Sequence, residues 1–351
     1  MTFEEARAQF PVLERIAYLN AGSAGPLPRA AAEAARARFE RDLAQGRGGK
    51  AYIDEFLELR ERIRAGLAAV LGAPEEHVVL TDSTTRGCQI VVTGLRLGPE
   101  DEIVTSSEEH FGLLGQLHGS GARVVVAEPE EEALLAALTP RTRLIAVSHV
   151  LWRTGRRLDL ARLRRSDGPP LLVDGAQSAG AIPVDLAGVD FYTVSAQKWL
   201  CAPEPTGALF VRDPERLRVA LPGFLAAQSY EPDGTFVPRD GAQRFDSGWI
   251  GAATLAGLEA ALAVHPDWRY EAGAEAAARC RALLEPLAEV VTPPGHSTLV
   301  SFHPPGDPTE LVAALDERGV IVRELPGRNL VRVSCGWWTS EDDLRRLASA
   351  L

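Results

Sequence analysis

Lys198 is the residue of this sequence with the clearest potential for chemistry, in the stretch "DFYTVSAQKWLCAPEPTG" (190–207). The chain has 37 lysines and arginines, and only Lys50 and Lys198 are lysines, which leaves 35 arginines (37 − 2). A cation needed only for solubility would be expected as arginine here. A desolvated lysine can lose its proton and attack a carbonyl carbon to form a Schiff base, whereas a guanidinium stays protonated. A surface lysine with its stem along apolar residues is the alternative interpretation.

Two further polar groups follow apolar runs. Asp174 ends the run in "LLVDGAQSAG" and could cap a helix or pair with a buried cation, of which a pyridinium nitrogen is an example. In "TDSTTRGCQ", Ser83, Thr84 and Thr85 stand where a helix would begin. Such a helix start suits a phosphate group, although Ser and Thr are also ordinary helix caps.

Two histidines and an arginine complete the candidate set. His110 in "SSEEHFGLL" and His149 in "AVSHVLWRTG" follow other apolar runs, where a ring can stack on a heteroaromatic cofactor or remain a core histidine. Arg332 lies inside the apolar run of "NLVRVSCGWW" and could bind a carboxylate or form a structural ion pair. A phosphate cradle, a ring stacker, a pyridinium partner and a Schiff-base lysine together are what pyridoxal phosphate requires.

These residues need a scaffold that brings strand ends together. Seven short apolar runs occur between residues 78 and 211: "HVVLT", "DEIVTS", "ARVVVAE", "RLIAVSH", "PLLVDG", "DFYTVS" and "GALFVR". Segments with helical spacing or charge lie between several of them, at 84–96, 130–138 and 158–165. This alternation predicts an α/β fold with a largely parallel sheet of about seven strands. Ligands bind at the carboxyl ends of such strands.

The C-terminal part predicts a smaller α+β module. The Pro-, Gly- and Asp-rich stretch 213–247 indicates an ordered loop. Helices are expected at 251–263, 271–288 and 308–318, strands at "STLVSFH", "GVIVREL" and "NLVRVS", and a last helix capped by Thr339 or Ser340. The predicted organisation is an N-terminal segment lining the site (1–20), a large domain (21–247) and a small domain (248–351).

Composition excludes several classes of partner. The net charge of −11, without a basic stripe, argues against nucleic acid. No apolar stretch is long enough to span a bilayer, and the N-terminus does not resemble a secretory signal. The four cysteines, Cys88, Cys201, Cys280 and Cys335, lack metal-site spacing and are interpreted as free thiols of a cytoplasmic protein. No metal site is predicted.

With these residues in place, the sequence resembles the class V aminotransferase family of fold-type I pyridoxal-phosphate enzymes, which includes cysteine desulfurases and isopenicillin N epimerase-like proteins. The resemblance runs from "YLNAGSAGPLP" (18–28) through "STTRG", "EEHFG", "VSHV", "VDGAQSAG", "SAQKWL" and "RFDSG" to "LVRVSCGWWTSEDDL" (330–344). It implies a large domain with a mostly parallel seven-stranded sheet, a smaller C-terminal domain, pyridoxal 5'-phosphate as the cofactor, an amino-acid substrate and a homodimer.

The resemblance also implies a role for each motif residue. Lys198 would form the Schiff base, Asp174 would meet the pyridine nitrogen and Gln177 the phenolic oxygen. The expected cofactor-binding set is Thr84, Thr85, His110, His149, Asp174, Gln177, Ser195, Gln197 and Lys198, of which Lys198, His110 and Asp174 are the expected catalytic residues. The expected substrate-binding set is Asn20, Ala21, Gly22 and Arg332, with Arg332 on the α-carboxylate.

Several positions depart from the family pattern. Gln197 stands where many relatives have histidine, and Trp249 stands where many have a threonine that helps to bind the partner subunit's phosphate. Ala202 and Pro205 replace glycines after the lysine. Desulfurases need a nucleophilic cysteine on a loop before the carboxylate-binding arginine, and "VIVRELPGRNLVRVS" has none. Cys335 falls on the opposite strand face from Arg332 and is expected to pack.

These observations favour an aminotransferase that acts on the α-amino group of an amino acid. A C–S or C–X lyase or an epimerase without a desulfurase cysteine is the alternative, and a non-catalytic cofactor-binding protein is a remote one. Trp152, Trp249, Trp337 and Trp338 are candidate pocket walls. A nicotinamide-dependent dehydrogenase is not supported, because "DSTTRG" lacks the glycine pattern of the dinucleotide-binding turn.

Overall fold

A computed structural model of the chain describes residues 1–164, 168–246, 248–349 and 351. The helices of these residues are α1 (Phe3–Arg7), α2 (Arg29–Gln45), α3 (Lys50–Leu71), α4 (Thr84–Gly94), α5 (Phe111–His118), α6 (Glu131–Ala136), α7 (Leu160–Leu163), α8 (Ala252–Ala263), α9 (Arg269–Leu284), α10 (Pro308–Glu317) and α11 (Glu341–Ala348).

The strands are β1 (Ala17–Tyr18), β2 (Val78–Thr81), β3 (Glu102–Ser106), β4 (Arg123–Ala127), β5 (Thr142–Ser148), β6 (Leu171–Asp174), β7 (Phe191–Ser195), β8 (Gly207–Val211), β9 (Ala227–Tyr230), β10 (Phe236–Pro238), β11 (Glu289–Val290), β12 (Leu299–His303), β13 (Val320–Ile321), β14 (Arg323–Leu325) and β15 (Leu330–Ser334).

The large sheet has seven strands in the order β2-β8-β7-β6-β5-β3-β4. Pairings among β3 to β7 are parallel, and β8 runs antiparallel to both of its neighbours. Strands β2 to β7 therefore all point their carboxyl ends to the same edge. The predicted α/β fold with a mostly parallel seven-stranded sheet is confirmed, and each of the seven apolar runs forms one strand.

Helices cover both faces of this sheet. On one face, Ile63 of α3 and Val194 of β7 belong to a core that also includes α8 residues. On the other, Val91 of α4 and Leu113 of α5 pack with Leu209 of β8. Because central strands are buried on both faces, they appear in the sequence as continuous apolar runs instead of alternating ones.

The C-terminal module contains the four-stranded antiparallel sheet β11-β12-β15-β14. Cys280 of α9 and Cys335, directly after β15, are fully buried in its core, as expected for a packing role of Cys335. The final helix begins after Ser340, whose hydroxyl accepts a hydrogen bond from the Asp343 backbone N–H in a capping box. The run "GVIVREL" forms two short strands, β13 and β14, instead of one.

The N-terminal segment packs on the C-terminal module. Strand β1 pairs in parallel with β13, and Arg7 forms an ion pair with Asp343 at 2.8 Å. The three-part division at 20 and 247 remains a prediction, and its second boundary falls on Ser247, outside the described residues. The end of the predicted helical segment 158–165 also lies outside them, and its described helix is α7.

Long helices α2 and α3 have no counterpart among the predicted elements. Large apolar side chains of α2 are exposed, with Phe39 at 66% and Leu43 at 89%, so the helix lacks a clear separation into buried and solvent faces. The loop 213–247 contains the hairpin of β9 and β10. No helix among the described residues is both long and apolar enough to cross a membrane.

Candidate active site

A cavity of about 210 Å³ lies at the carboxyl edge of the large sheet. Its walls come from the segments that follow β2, β3, β5, β6 and β7, as the topology of a parallel sheet requires. The lining residues are Ser83, Thr84, Thr85, His110, Ser148, Val150, Trp152, Asp174, Ala176, Gln177, Ser195, Gln197 and Lys198.

Lys198 lies in the turn after β7 and is partly buried. Burial lowers the pKa of its ammonium group to about 8; Arg332 and Arg323 act in the same direction, and Asp174 opposes them. The turn is held against the loop between β1 and α2 by a 2.8 Å hydrogen bond from the Gly25 N–H to the Gln197 carbonyl. A Cβ atom at Gly25 would overlap the carbonyl oxygen of Lys198, so this close approach requires glycine.

Asp174 is the last residue of β6 and is 4% exposed. One carboxylate oxygen accepts a hydrogen bond from the Ala176 N–H at 2.9 Å. Burial raises the pKa of the Asp174 carboxyl, and Lys198 opposes this effect. A buried carboxylate with a free acceptor position suits a cationic group, because burying it alone is costly.

Gln177 joins three parts of the chain. Its side-chain amide donates to the Gly22 carbonyl at 2.8 Å and accepts from the Trp199 indole N–H at 3.1 Å. An amide group has two N–H donors, so one of them is left to face the cavity. Gly22 also packs closely on Arg332, because an added Cβ would lie 2.8 Å from a guanidinium nitrogen.

The start of α4 forms the polar end of the cavity. The Ser83 hydroxyl caps the helix by accepting from the Arg86 N–H at 3.2 Å, and the Ser195 hydroxyl lies 3.4 Å from that of Thr84. Backbone N–H groups in a first helical turn have no partner within the helix. The Gln197 amide oxygen is buried without a partner among the described residues. Turning this amide would present its NH₂ group as a donor instead.

His110 is the N-cap residue of α5 and lies at the cavity entrance. Its Nδ1 atom accepts a hydrogen bond from the Gly112 N–H at 3.0 Å, so the ring proton is on Nε2. Trp152 meets the ring edge-on, with ring centroids 5.2 Å apart. Burial and Lys198 lower the pKa of the imidazole, which favours a neutral ring.

His149 lies outside this cavity. It lies directly after β5 with its side chain buried and its Nδ1 atom 3.2 Å from the Tyr192 hydroxyl. It lines a separate groove together with Arg157 and His296. Burial lowers its pKa to about 4. The neighbours Ser148 and Val150 point into the cavity instead, so the structure does not bring His149 to the other predicted site residues.

Arg332 lies beside the cavity in β15 and is 1% exposed. One guanidinium nitrogen donates to the Trp152 carbonyl at 2.8 Å, and its Nε atom is buried without a described partner. Arg323, on the neighbouring strand, donates to the Ser23 hydroxyl at 2.9 Å, and Arg332 lies 3.5 Å from the same oxygen. Burial lowers the pKa of Arg332 to about 9, and Arg323 adds to this shift.

The polar groups around this cavity fit pyridoxal phosphate. A buried carboxylate can face the ring nitrogen, an amine of lowered pKa can meet the aldehyde, and a helix start with hydroxyls and an unpartnered amide can hold the phosphate. The sequence model of the family described as Aminotransferase class-V matches residues 17–347. The chain belongs to this family.

Two relatives of this class V chain illustrate the range of reactions. Isopenicillin N epimerase from Streptomyces clavuligerus is 30% identical, with 99% of this chain and 97% of the relative covered. The cysteine desulfurase CsdA from Escherichia coli is 28% identical, with 98% and 96% covered. The family's homologues are pyridoxal-phosphate-dependent enzymes, so the predicted family, enzyme class and cofactor are confirmed at this level. Aminotransferase activity itself is not established by these relatives.

Solved structures show the same fold. A complex of the cystine C–S lyase C-DES with its product cysteine persulfide superimposes with a TM-score of 0.91 at 28% identity, covering 97% of this chain and 98% of that one. A C-DES mutant with glycine covalently linked to its PLP cofactor gives the same TM-score of 0.91, with 98% of each chain covered. The fold-type I assignment is therefore confirmed.

The structure places most predicted site residues around one cavity. The predicted substrate-binding residues Asn20, Ala21, Gly22 and Arg332 do not line it, although the Gly22 carbonyl accepts a hydrogen bond from Gln177, which does. Among the predicted tryptophan walls, Trp152 lines the cavity, Trp337 and Trp338 are buried in a core with Phe10, and Trp249 is 54% exposed and stacked on Phe56.

Sequence reasoning missed Arg323, Ser148 and Glu109. Arg323 lies within the apolar run "GVIVREL", the same signal that drew attention to Arg332, so it could have been found. Ser148 and Glu109 gave no comparable signal, because a serine at a strand end and a glutamate in a loop are ordinary.

Proposed function

We propose that this protein is a pyridoxal-phosphate-dependent C–S lyase whose amino-acid substrate carries a second carboxylate, as cystine does. The observation that supports this proposal is the pair of arginines beside the cavity. No ion pair with an acidic side chain is found for Arg323 or Arg332 among the described residues. The Arg332 guanidinium is buried and that of Arg323 is half-buried, so both are costly without anions, and two carboxylates of one substrate would supply them.

The cysteines favour this reaction over desulfuration. All four are buried, and none lines the cavity. Burial raises the pKa of Cys88 and Cys201 well above the ordinary thiol value, which opposes thiolate formation. In a C–S lyase reaction the sulfur atom departs as part of the leaving group, so no thiol of the protein is needed to accept it. The resemblance to C-DES, a cystine C–S lyase, supports the same choice.

In the proposed reaction each of the site residues has a separate role. Bound pyridoxal phosphate supplies a carbonyl that bonds to amines and a ring that withdraws electrons from the α-carbon. Asp174 would hold the ring nitrogen, and Thr84, Thr85 and Ser195 would hold the phosphate. Arg332 binds the α-carboxylate and Arg323 the distal one. Lys198 removes the α-proton, which its pKa of about 8 permits near neutral pH.

The bond that breaks after removal of the α-proton depends on the group at the β-carbon of the substrate. In cystine the β C–S bond breaks, cysteine persulfide leaves with the electron pair and takes up a proton, and hydrolysis of the remaining three-carbon unit gives pyruvate and ammonia. Transamination, which the sequence favoured, and epimerisation use the same lysine. They differ in where a proton returns, and among the described residues that line the cavity the neutral His110 imidazole is a candidate for the second acid–base group that epimerisation needs.

The test is to incubate cofactor-loaded protein with cystine and no keto acid. Release of pyruvate and ammonia at equal rates supports the lyase. Amine exchange that depends on an added keto acid would support an aminotransferase instead, and formation of the D-amino acid would support an epimerase. A Lys198→Ala variant is the control for reaction outside the site. Borohydride reduction should attach the cofactor to Lys198 and not to Lys50.

A homodimer and a cytoplasmic location are further parts of the proposal. Exposed apolar side chains on α2 and α3, namely Phe39, Leu43 and Ile53, favour a second copy as their partner. Light scattering of the purified chain and of a Leu43→Glu variant tests the dimer, and a monomeric wild type would overturn it. The four free thiols favour a reducing compartment, which cell fractionation checks.

A further inference from the structure

Glu109 is a buried carboxylate that the proposed chemistry does not use. It precedes His110 directly and is 2% exposed. Its oxygens accept hydrogen bonds from the Ser106 hydroxyl at 2.6 Å, from the Ser148 N–H at 3.0 Å to each oxygen, and from the Ser148 hydroxyl. No cationic side chain pairs with it within the part of the chain that the structure describes.

The partners of Glu109 lie at the active-site edge of the sheet. Ser106 ends β3, Ser148 ends β5 and Asp174 ends β6. Ser148 and Asp174 are register partners on adjacent strands, and Ser148 lines the cavity. Glu109 itself does not line the cavity, so it lies one layer behind the wall and is joined to the site by its hydrogen bonds to Ser148 and by its chain neighbour His110.

Hydrogen-bond chemistry shows why a carboxylate is needed here. All groups that face Glu109 donate, and an ionised carboxylate only accepts. A glutamine would turn its NH₂ group towards at least one of these donors. Because the Ser148 hydroxyl donates its proton to Glu109, its oxygen lone pairs are left to face the cavity. The turn carrying His110 is fixed to the end of β5 by the same bonds.

We propose that Glu109 is a positioning residue of the active site, which sets the direction of the Ser148 hydroxyl and anchors the turn that carries His110. The proposal rests on the cofactor occupying this cavity and is independent of the reaction that follows. Both Glu109 and Ser148 are at least nine-tenths buried.

The charge of Glu109 should respond to pH. Burial raises its pKa to about 7, the hydrogen bonds from Ser106 and Ser148 oppose this, and Asp174 adds to it. The ionisable groups near it are Asp174 on β6 and the buried Cys88 thiol on α4. When protonated, Glu109 can donate to the Ser148 oxygen, which frees the Ser148 proton to turn into the cavity.

The first experiment compares Glu109→Gln with Glu108→Gln as a matched control. Glu108 is the preceding residue, and it accepts a bond from the Thr154 hydroxyl instead of from a cavity residue. The measurement is the pH midpoint of the cofactor's visible absorption band, together with the dissociation constant of pyridoxal phosphate. Removing a buried negative charge near a cationic cofactor should move the midpoint to lower pH. Cofactor binding should weaken about 10-fold, whereas the control stays near wild type.

The second experiment needs no cofactor. The folded-state pKa of Glu109 lies above its ordinary value of 4.5, so its contribution to stability is full below pH 4.5 and is lost as the pH rises through about 7. The melting temperature of the apo-protein should fall less steeply over this interval in Glu109→Gln than in the control. If Glu109→Gln does not fold, Ser148→Ala tests the positioning role in its place, because this variant should also move the absorption midpoint to lower pH.

An absorption midpoint that stays at the Glu108→Gln value in both Glu109→Gln and Ser148→Ala would overturn the positioning role. Failure of the lyase proposal would look different. In that case wild-type protein would bind the cofactor and show the expected absorption shift in Glu109→Gln, but it would release no pyruvate from cystine.

Discussion

Arg323 and Arg332 are direct register partners on the antiparallel strands β14 and β15, and both guanidinium groups approach the hydroxyl of Ser23. Two cations held side by side repel each other, which contributes to the lowered pKa of Arg332. The fold holds the two guanidinium groups together, and the anionic substrate proposed above would relieve their repulsion. In the proposed lyase this relationship would tie substrate choice to the loop between β1 and α2, which supplies Ser23.

Replacing Arg323 should discriminate between substrates. Arg323→Met is expected to lower kcat/KM for cystine by about 10- to 100-fold, since a hydrogen bond between charged groups is worth about 1.5–3 kcal/mol. With S-methylcysteine, which lacks the second carboxylate, the loss should be much smaller. Steady-state pyruvate release measures both. Arg318→Met, at an exposed position after α10, is the control, and equal losses for the two substrates would contradict the assigned role.

Lys198 should react as an amine of unusually low pKa. In apo-protein, labelling of Lys198 by an amine-reactive reagent is expected to rise through a midpoint near pH 8, because burial and the two arginines disfavour its protonated form. Lys50, whose side chain is 86% exposed, is the internal reference in the same sample. Peptide mapping by mass spectrometry separates the two sites. A Lys198 midpoint near 10.5 would show that the amine is not perturbed.

Asp246 should be important for stability rather than for chemistry. Its carboxylate accepts from Arg60 at 2.8 Å, from Arg64 at 2.7 Å and from the Leu80 N–H at 3.0 Å, all buried. Asp246→Asn leaves the buried Arg60 without its anion and leaves Arg64 with only the half-exposed Glu61, so the free energy of unfolding should fall by about 3–5 kcal/mol. Urea denaturation measures the change.

The control for Asp246 is the exposed pair of Arg62 and Glu259, in which the side chains are 54% and 39% exposed. Glu259→Gln should change the free energy of unfolding by less than about 1 kcal/mol, because solvent screens the pair. Similar losses in the free energy of unfolding for the two variants would show that the buried Asp246 network stabilises the fold no more than an exposed ion pair does.

Gly25 should be required for cofactor binding. A methyl group at this position would displace the turn that carries Lys198, because the added Cβ overlaps the Lys198 carbonyl oxygen. Gly25→Ala is therefore expected to weaken pyridoxal phosphate binding by about 10- to 100-fold in an absorbance titration. Gly48→Ala is the matched control, since nothing lies within 4 Å of its added Cβ. Unchanged affinity in Gly25→Ala would show that the turn can move freely.

The local sequence determined much of this protein. Seven apolar runs predicted the seven strands, because strands buried on both faces must be apolar throughout. Lys198 stood out as one of two lysines in an arginine-rich chain. Asp174 stood out because it directly follows a buried strand. These signals depend on residue type and on near neighbours, which the sequence displays directly, and they were sufficient for the cofactor and the fold class.

The tertiary structure decided which residues meet. His149 and Ser148 are neighbours in the sequence, yet only Ser148 faces the cavity, because successive side chains at a strand end point to opposite sides. Arg323 and Arg332 are nine positions apart (332 − 323), and only the antiparallel register places them opposite each other. Contacts of this kind depend on strand pairing and chain path between distant segments, which residue types and local spacing do not specify.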